Sequence, residues 1–148
     1  MKKTLRYISL AAVAAMFGLA VGSCTFESSD NGDLDGFWHM VAVDTLSTGT
    51  TCDLSEQTVF WAVQHKLLYL RDYRHASFIT RFRQTADSLR VYEIYYYDRA
   101  QGDPAVTDAS VLTPYGLDSL DNGFAIEQLS GSNMSLRSRR LRLHFVKH

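Results

Sequence analysis

The chain has 148 residues, with 15 Lys and Arg against 16 Asp and Glu, a formal net charge of −1 and 46% hydrophobic residues. This length corresponds to one domain. The near-neutral charge gives no support for a nucleic-acid partner, because such domains are usually strongly basic.

The first residues have the pattern of an export signal. Lys2, Lys3 and Arg6 precede an apolar run over residues 7–22, which is short for a membrane span. The run ends in LAVGSC at residues 19–24, which resembles a bacterial lipobox. That resemblance implies cleavage before Cys24, diacylglycerol on its sulfur and acylation of the new amino terminus. An ordinary secretory signal, in which Cys24 is incidental, is the alternative.

Processing at this site predicts three segments: a signal peptide over 1–23, an acidic flexible tether over 24–33 and a β-barrel domain over 34–148. The mature chain keeps 12 basic and all 16 acidic residues, so its net charge would be −4, which again argues against nucleic acid. The tether TFESSDNGD loosely resembles the acidic surface-display signal of Bacteroidetes lipoproteins. We therefore expect a lipid-anchored protein of the cell envelope, at the outer membrane. Either face of that membrane, including the cell surface, is compatible with the sequence. Any soluble tether is also polar, so the acidic residues are equally compatible with a plain linker.

Cys52 is the second of the two cysteines. Acylated Cys24 cannot pair with it, and a Cys24–Cys52 disulfide would contradict lipidation. The neighbouring sequence TGTTCDLSEQ has no His or other base, so we expect Cys52 to be unreactive or weakly buried.

From Phe37 onward the hydrophobic period is two, which is typical of β-strands. A helical face also fits residues 58–70, but their β-branched and aromatic content favours a strand. Residues 45–57 and 98–104 read as loops, and Thr113–Gly116 as a turn. About eight strands without an internal helix predict an antiparallel up-and-down barrel or a sandwich. The strands are expected over 37–44, 58–70, 75–84, 89–97, 105–112, 124–129, 134–137 and 141–147.

The segment Gly36-Phe37-Trp38 at the head of the first strand resembles the G-x-W signature of lipocalin-type barrels. Together with FWAVQHKLLYLRD, FAIEQLS, RLRLHF and the lipobox, it makes the chain similar to the small lipocalin-like lipoproteins of Bacteroidetes. The resemblance covers nearly all of residues 34–147 and implies an eight-stranded barrel that Trp38 closes at one end. In lipocalins a basic side chain covers this tryptophan. Arg140 and Arg142 are the candidates here, and with Gly36 and Trp38 they form the predicted barrel closure.

The alternating aromatic residues are the candidate ligand wall, since tyrosine combines an apolar ring with a hydroxyl that orients a ligand. The alternative is that an eight-stranded barrel fills its interior with such side chains. By its spacing Glu93 lies between Val91 and Tyr95 on one face, and an inward carboxylate would need a polar partner. The candidate ligand-binding residues are Trp61, Tyr69, Phe78, Phe82, Glu93, Tyr95 and Tyr97.

No motif in the sequence points to a reaction. There is no G-x-S-x-G, no phosphate-binding glycine loop and no metal-ligand spacing among the five histidines, so we expect neither catalysis nor a cofactor or metal. The leading hypothesis is an anchored barrel that holds a small, partly apolar ligand in its mouth. The alternative is an interaction protein, of accessory or inhibitor type, that uses loops 45–57 and 98–123, and a hydrolase ranks third. A basic stripe would suit either an anionic ligand or a solvated outer strand; it consists of Arg137, Arg139, Arg140 and Arg142.

Overall fold

The structure, a computed structural model, describes residues 29–148. The predicted signal peptide and Cys24 lie outside the described residues. Within them the chain forms nine strands and three short 3-10 helices. The strands are β1 (Gly36–Thr45), β2 (Thr50–Asp53), β3 (Phe60–Gln64), β4 (Leu67–Arg71), β5 (Phe78–Gln84), β6 (Ser88–Tyr96), β7 (Asn122–Leu129), β8 (Asn133–Arg137) and β9 (Leu141–Lys147); the 3-10 helices are Gly32–Leu34, Arg99–Gln101 and Ala109–Tyr115.

Every strand pairs antiparallel with its neighbours, and β1 also pairs with β9, which closes the sheet into a barrel. Eight strands form the closed barrel, and β2 is an additional one. β2 and β3 pair with the same edge of β1: β3 pairs with residues 36–39 and β2 with residues 42–45. Residues 54–59 connect the two strands. The prediction of an all-β, antiparallel, up-and-down barrel is confirmed.

Two element predictions within the first half are wrong. The single strand expected over 58–70 is a hairpin, in which Gln64 pairs with Leu67 across a turn at His65-Lys66. His65 adopts a φ of 53°, a conformation that histidine tolerates better than most residues, and no Gly, Pro or Asn marks the turn. The polar loop predicted over 45–57 contains β2, on which Cys52 is exposed instead of weakly buried.

The strand predicted over 105–112 is also wrong, because the second half of this segment belongs to the 3-10 helix Ala109–Tyr115. Only Ala105 keeps a β-bridge, to Tyr95. The carboxylate of Asp108 accepts a hydrogen bond from the Ser110 N–H, and Gly116 ends the helix at a φ of 76°. Asp and Gly at these positions are helix-boundary residues, and they outweigh the weak alternation of the segment.

Three strands carry one extra residue each, at register shifts in β1, β6 and β7. In β6, Arg81 faces Tyr92 whereas Ile79 faces Tyr95, so Thr80 alone stands opposite both Glu93 and Ile94. Such a bulge shifts the side-chain alternation by one position.

Aromatic and aliphatic side chains fill the barrel interior. Trp38, Trp61, Phe78 and Tyr115 have no exposed surface, and Phe145 retains only 2%. Because burying an apolar side chain contributes about 1.5–3 kcal/mol, this cluster is the main source of stability. The remaining large, fully buried side chains are Leu34, Met40, Leu68, Leu70, Leu89, Leu112 and Leu117.

Candidate functional site

Trp38 closes the end of the barrel at which β1 begins, called here the closed end. Its indole N–H donates to the Leu34 carbonyl oxygen at 2.7 Å, and the Lys147 ammonium lies 4.6 Å from the centre of its ring. The same ammonium donates to the carbonyl oxygens of Asp33 and Asp35 at 2.8 and 2.7 Å. Lys147 therefore fixes the last residues of the predicted tether to the barrel.

The basic residue over Trp38 is thus Lys147, and the choice of Arg140 or Arg142 is wrong. Both arginines lie at the opposite end of β9, where Arg142 pairs with Asp44, near the end of β1. Lys147 is the register partner of Trp38 itself. Gly36 has a φ of +127°, and a Cβ there would stand 3.3 Å from Lys147 Cε, so this glycine leaves room for the lysine stem.

Residues 105–117, called the plug, close the other end of the barrel, called the plugged end. The Tyr115 ring packs edge-on against Phe78 with the centroids 5.6 Å apart. Its hydroxyl donates to the Ala76 carbonyl oxygen at 2.7 Å, and the Trp61 indole N–H donates to its carbonyl oxygen at 3.2 Å. Burial, followed by the negative charge of Asp72, raises the pKa of the Tyr115 phenol, which therefore remains a hydrogen-bond donor. The plug occupies the space in which an open barrel would hold a ligand.

A buried carboxylate supports the loop on which the plug rests. Asp72 accepts hydrogen bonds from the Thr58 hydroxyl at 2.7 Å, the Arg74 N–H at 3.3 Å and His75 Nδ1 at 2.5 Å. Burial raises the pKa of Asp72, but these hydrogen bonds outweigh it and hold the pKa below its ordinary value. Asp72 is therefore ionised at neutral pH and fixes the turn that presents the Ala76 carbonyl to Tyr115.

Three of the predicted ligand-wall residues lie inside the barrel, as core. Trp61 and Phe78 are fully buried and Phe82 is 9% exposed. Trp61 contacts the rings of Phe124 and Phe145, with centroid distances of 6.0 and 5.0 Å. These contacts are those of a packed interior, so the three residues line no open calyx in this conformation.

The other four predicted wall residues lie outside. Glu93, with a φ of 52°, is the bulge residue of β6, and after it the alternation reverses. Ile94 is therefore buried, whereas Tyr95 and Tyr97 are 38% and 43% exposed. Glu93 forms an ion pair with Arg81 at 3.2 Å on the outer face. Tyr69 faces outward too, because β4 begins only after the turn at residues 65–66.

Two depressions adjoin each other on the outer side of β6, β7 and the β8–β9 turn, and the second of them reaches the plugged end. Their volumes are about 580 and 520 Å³, and they share Asp121, Gly123, Phe124, Ser138 and Arg139. We call them together the rim groove. One side of it reaches Gly116 at the end of the plug, and Phe124 links its base to Trp61 in the core.

Charged side chains surround the rim groove. Arg90 is held in a bidentate ion pair by Asp121. Arg139 and Arg140 are exposed and form no ion pair with any residue of 29–148. Two guanidinium groups next to an apolar base suit a ligand with an apolar body and an acceptor or anionic end.

Sequence reasoning missed the rim groove because it is built from separate turns. It joins the start of β6, the approach to β7 and the β8–β9 turn, and only the arginines of that turn were noticed. In the part of the chain that the structure covers, no group of three or more His, Cys, Asp or Glu is placed to hold a metal ion. No helix of residues 29–148 has the length and the apolar run that a bilayer crossing requires.

Comparison with known proteins identifies the architecture. A family model described as a lipocalin-like domain matches residues 17–148. A lipocalin-like protein from Bacteroides uniformis ATCC 8492 superposes with a TM-score of 0.62 at 19% identity, over 79% of this chain and 100% of its own. An uncharacterized protein from Bacteroides eggerthii DSM 20697 superposes with a TM-score of 0.56 at 18% identity, over 77% and 98% of the two chains. A search of curated proteins gives no significant match.

Proposed function

We propose that the chain, which belongs to the lipocalin-like domain family, is a lipid-anchored envelope protein that binds a small, partly apolar ligand without catalysis. The ligand site is the rim groove, which reaches the plugged end. The anchor is Cys24, acylated after cleavage of residues 1–23, which would place the protein at the outer membrane.

The rim groove is the observation that carries this proposal. Its apolar base is Phe124, which is 3% exposed and packs edge-on against Trp61. Its polar wall includes Ser138, Arg139 and Arg140. A few polar groups around an apolar floor is the usual composition of a small-molecule site, where the floor supplies affinity and the polar groups fix orientation.

The packed interior sets the limit of the site. A ligand that entered the barrel would have to displace Leu112, Tyr115 and Leu117, which are together almost completely buried. Re-exposing such side chains costs about 1.5–3 kcal/mol each, so a weak ligand would not open the plug. Binding at the rim groove requires no such rearrangement.

Titration with 1-anilinonaphthalene-8-sulfonate, an aromatic anion, tests the site. We expect saturable binding to the Cys24→Ala protein and a loss of affinity of about tenfold for Arg139→Ala combined with Arg140→Ala, since a charge-assisted hydrogen bond contributes about 1.5 kcal/mol or more. Arg83→Ala, an exposed arginine near the closed end, is the matched control. Equal affinity in all three proteins would show that the dye binds elsewhere, and absence of saturable binding would refute the ligand site.

The anchor is tested separately. In cells that process lipoproteins, the native chain is expected to fractionate with membranes and to incorporate labelled palmitate, because three acyl chains give practically irreversible attachment. Cys24→Ala removes the acylated sulfur and should release the protein into the soluble fraction. Cys52→Ala is the matched control and should remain with the membranes. Membrane retention of the Cys24→Ala protein would contradict the lipid anchor.

A further inference from the structure

The outer surface of the barrel carries an unbroken row of apolar side chains across five strands. Register pairs join them in sequence around β1, β3, β4, β5 and β6. At about 4.8 Å between strands the row extends over roughly 19 Å. We call it the apolar belt; it consists of Phe37, Ala62, Tyr69, Ile79 and Tyr95.

Further rings widen the belt on both sides. Phe60 stacks on Phe37 with the ring centroids 4.5 Å apart and the planes within 13°. Tyr97 packs edge-on against Tyr69 at 5.0 Å. Isolated apolar residues on a surface are ordinary, but a contiguous band of aromatic residues is typical of an interaction site.

The opposite side of the barrel has the reverse character. On the outer face of β7–β9 and the end of β1, called the charged side, Glu127 binds Arg137 at 2.7 Å and Arg142 at 2.5 Å. His144 contacts Asp44 at 2.8 Å on the same face. The charged side chains on this side are paired with one another. The apolar row is therefore confined to the other side of the barrel.

The belt region is also basic on an otherwise acidic protein. Residues 60–96 contain six basic and three acidic side chains, whereas the rest of 29–148 contains six basic and twelve acidic ones. Of the three acids, Asp72 is buried and Glu93 is paired with Arg81. Arg71 lies over Tyr73 at 5.0 Å, and Arg99, which follows this segment and pairs with Asp103 at 3.6 Å, lies over Tyr97 at 5.3 Å. An aromatic band bordered by guanidinium groups complements a surface that is both apolar and acidic.

The composition of the border distinguishes two kinds of acidic surface. Five of the six basic residues in 60–96 are arginines, of which Arg90 is held by Asp121 at the rim groove and Arg81 by Glu93. The border therefore consists of Arg71, Arg74, Arg83 and Lys66. Protein interfaces are enriched in Arg, Tyr and Phe and depleted in Lys, whereas an anionic bilayer attracts Lys and Arg alike. The belt also lies on the convex flank of a barrel, which presents only a narrow strip to a flat membrane.

We propose that the apolar belt is the docking surface for an acidic protein partner, whose carboxylates pair with the arginines at its border. This surface is separate from the rim groove and does not depend on ligand binding. It is a different surface from loops 45–57 and 98–123, whose contact with a partner stays a prediction.

Site-specific photocrosslinking in the cells that make the protein tests the surface. Benzoylphenylalanine replaces Tyr95 in the full-length chain and, as the control, Gln128, which is exposed on the charged side. A discrete protein adduct is expected from position 95 and not from position 128. No adduct from position 95, or equal adducts from both positions, would overturn the proposal. A lipid adduct, or one with the mass of two copies of this chain, would overturn the acidic partner in favour of a membrane or of self-association.

The captured protein must then satisfy the charge prediction. Its affinity for the Cys24→Ala chain should fall about three- to tenfold with Arg71→Gln and should decrease as salt is raised, because the lost contact is electrostatic. Gln128→Glu makes the same change in charge on the opposite side and should leave the affinity unaltered. Unchanged urea midpoints of both variants establish that they fold. An affinity that changes neither with Arg71→Gln nor with salt concentration would overturn the proposal.

Discussion

Replacing Lys147 by Met tests the closed end of the barrel. Met preserves an apolar stem under Trp38 but removes the ammonium that lies 4.6 Å from the ring centre. Because Trp38 is fully buried, the lost cation–π contact is expected to cost about 1 kcal/mol. The half-buried hydrogen bond to the Asp35 carbonyl oxygen adds about 1 kcal/mol, and the exposed one to Asp33 adds little. The free energy of unfolding should therefore decrease by about 2 kcal/mol.

Urea unfolding followed by tryptophan fluorescence measures this change, since both tryptophans, Trp38 and Trp61, are fully buried in the folded chain. Lys66→Met, at an exposed turn, is the matched control and should change the free energy by less than about 0.5 kcal/mol. Arg142→Met tests the residue that the sequence suggested for the same role, and its effect should not include a change in the Trp38 environment. If Lys147→Met were as stable as Lys66→Met, the closure by Lys147 would be refuted.

Three other perturbations address the plug, the buried carboxylate and the charged side. Gly116→Ala should destabilise by at least about 2 kcal/mol in urea, because its φ is +76° and a Cβ would stand 2.7 Å from Leu143 Cδ2. Asp72→Ala leaves the half-buried Thr58 hydroxyl without its acceptor and should cost about 2 kcal/mol in urea unfolding, whereas an unchanged midpoint would contradict that role. The hydrogen bond from Arg142 is the main reason why the pKa of Glu127 lies below its ordinary 4.5. A carboxylate with a depressed pKa stabilises the fold at pH values above its unfolded-state pKa, and this stabilisation is lost as the pH falls through its folded-state pKa. The urea concentration at the midpoint of unfolding should therefore decrease when the pH is lowered below about 4.5. The decrease should be smaller in Glu127→Gln.

The fold was predictable because its signal is distributed along the whole chain. β9 was predicted with its observed bounds, since Leu141, Leu143 and Phe145 alternate with Arg142 and His144 without interruption. The prediction failed where one residue decides the geometry. The turn at His65-Lys66 contains no turn-forming residue, so the hairpin of β3 and β4 read as one long strand.

The candidate site was predictable only in part, because it depends on contacts between distant segments. Trp38 was identified from its place after Gly36, but its cover was assigned to the wrong end of β9. β1 and β9 pair antiparallel, so the end of β9 lies beside the start of β1 and the cover of Trp38 is Lys147. This pairing closes the barrel between the first and last strands, and no local pattern in the sequence reveals it. The plug was equally hidden, because its buried Leu112 and Tyr115 belong to the 3-10 helix Ala109–Tyr115, which Asp108 and Gly116 cap.

The bulge at Glu93 determines which aromatic side chains of β6 face the interior of the barrel and which join the apolar belt. Without an extra residue in β6, Tyr95 and Tyr97 would continue the inward face of Leu89 and Val91 and would line the barrel. With it, Ile94 takes the inward position and the two tyrosines join the outer belt. In the interior, the Tyr115 ring of the plug packs against Phe78 in place of the outward-facing tyrosines. The single bulge residue Glu93, in a left-handed conformation, thus turns Tyr95 and Tyr97 from the interior to the outer surface. On this side the barrel therefore has a filled interior and an apolar exterior.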